Sequence, residues 1–245
     1  MVSINCDMGE SFGIYRLGDD AGIMPHITHA NVACGFHGSD PDHIQKTVAL
    51  AKQYKVKIGA HFSLPDLQGF GRREMTMSRE ELRNTIIYQI GALEGFVKQA
   101  GLQLSHLKPH GALYGMAAKY EYAALAVAEA ARVYGLPVFG MSGTLQETIY
   151  RNEDVEFIGE FFADLDYDDN GALIISREHP VVELTAVKRK VERAIRDGEV
   201  VSVGGKVIPV RAQTICVHSD TPNAVNLAAA VAESVERRQL AEIQP

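Results

Sequence analysis

The chain has 245 residues, of which 46% are hydrophobic and 22% are charged, a composition typical of a soluble globular protein. Its formal net charge of -7 argues against nucleic acid or an anionic membrane surface as a partner, since both require a basic face. No run approaches the roughly 18 apolar residues of a membrane span, and no basic and apolar leader precedes the first predicted strand. We therefore expect a cytoplasmic protein, with one domain over residues 1–245 because no linker divides it.

Short apolar runs alternate with helical patterns along the chain. Strands are predicted for Val2–Cys6, Ala30–Cys34, Val56–Ala60, Leu102–Lys108, Leu136–Gly140, Val155–Phe162 and Thr214–Val217. Helices are predicted after the cap Asp40-Pro41, after the capping box of Ser78 and Glu81, and over Glu121–Tyr134, Glu183–Arg196 and Asn223–Gln239. This alternation predicts a parallel sheet. With about seven strands, we predict an incomplete (β/α) barrel, with a doubly wound open sheet as the second choice.

Two further patterns bear on the architecture. Residues Val200–Val210 contain Gly204-Gly205 between two strand-like runs, which predicts a β-hairpin beside the barrel. The cysteines Cys6, Cys34 and Cys216 are not closely spaced and follow apolar runs, so we expect small buried side chains rather than disulfides or a structural zinc site. Cys34, close to His37, is the one kept as a candidate thiol.

The strongest polar clusters directly follow predicted strands. They contain Asp7 with Glu10, His37, His61, Lys108 with His110, Asp164, and His218 with Asp220. Because the carboxyl ends of parallel strands open on one face, these clusters are expected to converge there. Asp7 and Glu10 can then divide the roles of base and acid; the structural alternative is a turn cap and a solvated carboxylate. A buried Lys108 needs a partner, either one of these acids or a substrate oxygen.

The loop Pro65–Arg73 combines two glycines with two arginines, Arg72 and Arg73, which can present N–H groups to a carboxylate or phosphate. It lacks the Gly-Lys-Ser/Thr of a Walker A loop, and its place after the His61 strand makes it a candidate lid. The other histidines lack the strand-exit pattern and are assigned to structure or surface: His26, His29, His43, His106 and His179.

Five motifs, in order, resemble the LamB/YcsF family from end to end. They are Asn5–Gly13, Ala30–His37, Pro65–Arg73, His106–Tyr114 and Thr214–His218. The resemblance implies a (β/α) barrel of the glycoside hydrolase/deacetylase type. It also implies the activity of the A subunit of bacterial 5-oxoprolinase, the ATP-dependent opening of 5-oxo-L-proline, a lactam, to L-glutamate together with subunits B and C.

Three positions depart from the family's usual motifs. Phe62 follows His61 where the family usually has proline, Leu165 follows Asp164 where it usually has arginine, and Ser219 follows His218 where it usually has glycine. The loss of arginine at Leu165 removes an anion contact worth about 1.5 to 3 kcal/mol if buried and paired. The family activity is therefore expected, while the lactam that is used depends on these positions.

The catalytic candidates are Asp7, Glu10, His37, His61, Lys108 and His110, and the substrate-binding candidates are Asn5, Arg72, Arg73, Asp164, His218 and Asp220. Asp7 or Glu10 is the expected base toward water, a histidine positions water or protonates the leaving group, and Lys108 stabilises the oxyanion. The first alternative is a metal-dependent amidohydrolase or deacetylase that works alone, because Asp7 with two or three histidines matches divalent-metal ligand sets. The second is a non-catalytic lactam-binding subunit.

Overall fold

The structure, a computed structural model, describes residues 2–174 and 180–243, with side chains as far as Arg238. The strands are β1 (Ser3–Met8), β2 (His29–Ala33), β3 (Lys57–Phe62), β4 (Leu104–Pro109), β5 (Val138–Gly140), β6 (Phe157–Phe162), β7 (Asp166–Tyr167), β8 (Leu173–Ile174), β9 (Glu199–Val201), β10 (Val207–Pro209) and β11 (Thr214–His218). The α-helices are α1 (Asp20–Ile23), α2 (Pro41–Tyr54), α3 (Arg79–Gln99), α4 (Gly111–Lys119), α5 (Glu121–Tyr134), α6 (Leu145–Asn152), α7 (Leu184–Asp197) and α8 (Ala224–Ile243), and a 3₁₀ turn covers Met24–His26.

Seven parallel strands form a closed barrel in the order β1-β11-β6-β5-β4-β3-β2. The predicted fold class and strand count are confirmed. The barrel has one strand fewer than the usual eight. It is nevertheless closed, because β1 pairs with both β2 and β11.

Helices α2 and α3 begin at the capping residues predicted from the sequence. The Asp40 side chain accepts hydrogen bonds from two backbone N–H groups of α2, whose first residue is Pro41. Ser78 and Glu81 form the predicted capping box at α3. These caps fix the points at which the chain leaves the polar loops and begins to pack on the barrel.

Two small hairpins lie outside the barrel. Strands β9 and β10 form the predicted hairpin, antiparallel and separate from the barrel sheet. Strands β7 and β8 form a second hairpin that was not predicted, since each strand has only two residues. This hairpin begins two residues after Asp164, and Leu165, directly before it, and Leu173 of β8 line a cavity at the mouth of the barrel.

The apolar core lies between the strands and the surrounding helices, whereas much of the barrel interior is polar. Asn5, Asn31, His106 and Glu160 are all buried in strands. Gly59 makes room for one of them, because a Cβ at this position would lie 2.2 Å from His106 Nε2. The three cysteines are buried and unbridged, as expected.

None of the helices in residues 2–174 and 180–243 combines the length and apolar character needed to cross a bilayer. His179, assigned from the sequence to structure or surface, lies outside the described residues.

Candidate active site

The barrel strands bring predicted site residues to one end of the interior. In the sheet register Asp7 on β1 pairs with His218 on β11, and His61 on β3 pairs with Lys108 on β4. Each of these side chains is buried. Because side chains alternate along a strand, Asn5, two residues before Asp7, points into the same interior one layer deeper.

Asp7 is held at both carboxylate oxygens. Its Oδ1 accepts hydrogen bonds from Lys108 Nζ and Asn31 Nδ2, both at 2.8 Å. Its Oδ2 lies 3.2 Å from His61 Nε2 and 3.6 Å from His218 Nε2. Burial alone would raise the pKa of Asp7, but the charges of His61 and Lys108 hold it well below its usual range. Asp7 is therefore an ionised, fixed carboxylate.

Glu10 occupies a different electrostatic environment. Its Oε1 lies 3.1 Å from His37 Nε2 and 3.4 Å from His110 Nδ1, and Ser219 Oγ lies 3.4 Å from Oε2. Burial has the largest effect on the pKa of Glu10 and repulsion from Asp7 the next largest, and both raise it well above its usual range. Glu10 therefore retains a proton under conditions in which Asp7 is ionised.

Backbone carbonyls set the tautomers of two histidines. His61 Nδ1 lies 3.1 Å from the carbonyl oxygen of Lys108, and His110 Nε2 lies 2.8 Å from that of Phe70. Since a carbonyl oxygen only accepts, each of these nitrogens must donate. The remaining nitrogens, His61 Nε2 and His110 Nδ1, face each other at 3.0 Å, so a hydrogen bond between them requires a proton on one of the two.

His37 lies against this pair. Its ring stacks on His110 with centroids 3.7 Å apart and an interplanar angle of 7°. Burial lowers the pKa of both rings well below the usual range, so both are neutral near pH 7. Among the described residues, His37 Nδ1 has no hydrogen-bond partner.

Asp164 orients His218. The Nδ1 atom of His218 lies 3.0 Å from Asp164 Oδ1, and its backbone N–H donates to Asp164 Oδ2 at 2.8 Å. Burial alone would lower the pKa of His218, but the Asp164 carboxylate raises it to about 9. This contact directs Nε2 of His218 toward Asp7.

The loop after β3 reaches over the imidazole cluster. Gly71 has φ +64°, and a Cβ there would lie 2.3 Å from Ser63 Oγ and 2.8 Å from His37 Cβ. Only glycine fits this close approach without strain. The carbonyl oxygen of Gly71 accepts a hydrogen bond from Ala112 N, which joins the loop to the start of α4.

The two arginines of this loop lie in different surroundings. Arg72 lines a small cavity beside Asp7, His61 and His110 and pairs with Asp220 at 2.8 Å, and the two side chains are 6% and 9% exposed. Arg73 instead donates from Nε to Asp66 Oδ2 at 3.0 Å, and 46% of its side chain is exposed. The structure thus brings Arg72 to the site and leaves Arg73 outside it.

Lys108 is surrounded by acceptors. Its Nζ atom lies 2.8 Å from Asp7 Oδ1, 3.0 Å from Glu160 Oε1 and Cys216 Sγ, and 3.3 Å from Asn5 Oδ1. The expected pairing of Lys108 with Asp7 is present. An ammonium has three N–H donors, so these contacts leave none for a substrate oxygen unless one partner is displaced. Asn5, predicted to bind substrate, instead lies in this deeper layer and donates to Thr214 Oγ1 at 2.9 Å.

The donor set fits a divalent metal. Glu10, His37, His61 and His110 each offer one ligand atom, and these atoms all lie within 4.8 Å of one another. Imidazole nitrogens and carboxylate oxygens are ligands that zinc and similar ions take. The facing nitrogens of His61 and His110, 3.0 Å apart, can be bridged by such an ion or by a shared proton. The residues present therefore could hold such an ion.

The cavity above these groups is small. Its volume is about 30 Å³, and its walls include Arg72, Leu165 and Leu173. A second cavity of about 570 Å³ shares Tyr114 and Leu173 with it. Leu165, which directly precedes β7, and Leu173 of β8 both contribute to the wall of the small cavity.

Glu160, a further acidic residue of the interior, was missed from the sequence. Glu160 lies within the run FIGEFF of β6, which reads as an apolar strand. An acidic side chain two residues before the end of a buried strand was the signal that could have identified it.

The three departures from the family motifs also fall near the site. Leu165 lines the small cavity, Ser219 contacts Glu10, and Phe62 is fully buried at the end of β3. Of the histidines assigned to structure, His106 is buried with Nε2 at 2.7 Å from Asn31 Oδ1, and the ring of His43 contacts Asp40 at 2.6 Å.

Fold and site together define a seven-stranded (β/α)-barrel protein with a buried carboxylate and imidazole centre at the carboxyl end of the barrel. The sequence matches the LamB/YcsF family over residues 2–245. The chain belongs to this family.

Individual relatives agree over nearly the whole chain. It is 43% identical to the lactam utilization protein lamB of Emericella nidulans, over 91% of this chain and 90% of that protein. It is also 43% identical to the 5-oxoprolinase A subunit of Syntrophobacter fumaroxidans, over 96% and 94%. The crystal structure of the lactam utilization protein from Thermus thermophilus superposes with a TM-score of 0.90 at 40% identity and covers 97% of both chains.

Proposed function

We propose that this chain is the A subunit of an ATP-dependent 5-oxoprolinase, which opens 5-oxo-L-proline to L-glutamate in the cytoplasm together with subunits B and C. The observation that carries the proposal is a pair of buried carboxylates with different partners in one site: Asp7 Oδ1 lies 2.8 Å from Lys108 Nζ, whereas Glu10 Oε1 lies 3.1 Å from His37 Nε2. Such a pair supplies an ionised group and a proton-transfer group in one site. The relatives named as 5-oxoprolinase A subunits support the choice of substrate.

The lactam carbonyl is a poor electrophile, which explains the need for ATP. Its oxygen bonds to the γ-phosphorus while the bond from that phosphorus to ADP breaks. A water oxygen then bonds to the activated carbon, the ring C–N bond breaks and the nitrogen gains a proton. A second water releases phosphate from the resulting acyl phosphate and leaves L-glutamate.

The residues take distinct roles in the hydrolytic step. Glu10, with its raised pKa, moves protons between the attacking water and the departing nitrogen, and His37 at 3.1 Å relays them. Asp7 remains ionised and orients His61 and the water. Arg72, at the cavity wall, binds the substrate carboxylate or a phosphate.

The test measures glutamate release from 5-oxoproline by the purified chain, with and without ATP and with and without subunits B and C. Release only when ATP and both partners are present is the expected result. If partners of demonstrated competence give no release, the proposal is wrong. Binding of the lactam without turnover in that experiment would favour a non-catalytic lactam-binding subunit.

A second candidate, a metal-dependent amidohydrolase that works alone, is favoured by the facing nitrogens of His61 and His110. These two rings with Glu10 would hold the ion, which would lower the pKa of bound water to about 7. This function predicts stoichiometric metal in the purified protein and chelator-sensitive hydrolysis of lactams or acetylated amides without ATP. Metal-free protein with full activity would exclude it.

A further inference from the structure

Glu160 is a buried acid to which no role has yet been assigned. It lies on β6 with a side chain that is 0% exposed, and its Oε1 is 3.0 Å from Lys108 Nζ. In the described part of the chain, Lys108 is the cation within ion-pair distance of it. A carboxylate so deep in a barrel is costly unless it is paired, so the contact with Lys108 accounts for its presence there.

Lys108 lies between Glu160 and Asp7 and contacts both carboxylates. The same ammonium donates to Asp7 Oδ1 at 2.8 Å, and Asp7 turns its other oxygen toward His61 at 3.2 Å. Glu160 does not line the catalytic cavity, whereas Asp7 and Lys108 do. Glu160 can therefore act on a bound substrate only through a neighbour that lines the cavity, and Lys108 and Tyr114 are the two such neighbours it interacts with.

We infer that Glu160 is a positioning residue that holds the Lys108 ammonium in place beneath Asp7. The inference rests on the proposed function of the site. With Asp7 as the only carboxylate beside it, the buried ammonium would lose its counter-charge whenever Asp7 turned toward a ligand. With Glu160 as a second partner at 3.0 Å, Lys108 stays in place and Asp7 Oδ1 stays fixed while Oδ2 faces His61.

The first experiment measures urea midpoints of the chain alone, in two backgrounds. Glu160→Gln is expected to lower the midpoint when Lys108 is present, because the ammonium loses a partner. In a Lys108→Met background the same change is expected to raise the midpoint, because it removes an unpaired buried carboxylate. An equal loss in both backgrounds would overturn the inference.

The second experiment uses the complex with subunits B and C. Glu160→Gln is expected to lower kcat at least tenfold while KM for the lactam changes less than twofold, and to have no further effect after Lys108→Met. The control is Glu129→Gln, which removes ion pairs with Arg79 and Arg83 on the outer helices. Unchanged kcat in Glu160→Gln would overturn the inference and leave the proposed function standing. An inactive wild-type complex would instead overturn the proposed function, and the urea midpoints would still decide the pairing.

Discussion

The guanidinium of Arg72 lies 2.8 Å from the Asp220 carboxylate, although 148 residues separate them. The contact ties the loop after β3 to the loop after β11 across the mouth of the barrel. Because both side chains are buried, the pair is not weakened by water as a surface pair would be. The neighbouring Arg73 makes no such connection and contacts Asp66 in its own loop.

This difference makes the two arginines a matched pair for mutation. Arg72→Lys is expected to raise KM for the lactam about tenfold or more, since a charge-assisted hydrogen bond is worth about 1.5 to 3 kcal/mol. Arg73→Lys is expected to change KM by less than about twofold, because surface ion pairs contribute little. Steady-state kinetics of the complex measures both. Equal effects would contradict the separation seen in the structure.

Asp7→Asn should abolish most activity. The amide keeps the shape of the carboxylate but removes the charge beside Lys108, so kcat is expected to fall by about 10² to 10⁴. Asp40→Asn is the control, because asparagine caps a helix as well as aspartate does. Glutamate release by the two variants is compared, with circular dichroism as a check of folding. Near-normal turnover by Asp7→Asn would remove Asp7 from the mechanism.

The close approach of Gly71 predicts a stability difference between two glycine substitutions. Gly71→Ala should lower the melting temperature, because its Cβ would overlap Ser63 and φ is positive. Gly95→Ala, in α3 with open space around the new Cβ, should stabilise the protein by about 0.5 to 1 kcal/mol. Thermal unfolding of both variants tests the prediction, and a neutral Gly71→Ala would contradict it.

His218 should make stability depend on pH. Its pKa is about 9 in the folded protein against 6.5 for an unperturbed histidine, so folding takes up a proton between these values. In metal-free protein this contribution is complete below pH 6.5 and is lost as pH rises through 9. It has an upper limit on the order of 3 kcal/mol, since one pKa unit is about 1.4 kcal/mol.

The measurement is the free energy of unfolding from urea titrations between pH 6 and 10. In Asp164→Asn the free energy of unfolding should fall less steeply as pH rises, because the substitution removes the carboxylate that raises the pKa of His218. His29→Gln is the control: burial lowers the pKa of His29 to about 4, so this ring is neutral in both states above pH 7. If the free energy of unfolding falls as steeply with pH in Asp164→Asn as in the unmodified protein, a titrating group other than His218 is responsible.

The sequence predicted the barrel because its strands are long enough to carry an apolar run and its helices carry clear caps. The convergence of Asp7, His61 and Lys108 followed from strand topology alone. The contacts that distinguish the roles of these residues depend on long-range packing. Arg72 and Arg73 are equivalent in the sequence, and only the folded loop directs one to Asp220 and the other to Asp66.

Three other features depend on contacts that the local sequence does not show. Glu160 pairs with a lysine on a different strand, and a single acid within an apolar run does not reveal its partner. The tautomers of His61 and His110 are set by backbone carbonyls, whose positions arise only when the loops have folded. The β7–β8 hairpin has strands of two residues, which is shorter than any periodic pattern can identify.

Closure of the barrel by β1 and β11 also fixes when the site can form. A ribosome makes β1 first and its neighbour β11 last, so Asp7 gains His218 only after nearly all the chain has been synthesised. Until then one edge of β1 has no partner, and such edges are prone to aggregation. Pairing across so long a stretch of chain is slow because loop closure must precede it. The nascent protein thus cannot complete the site before Thr214–His218 has docked, and a chaperone that shields β1 during synthesis should raise the yield of folded protein.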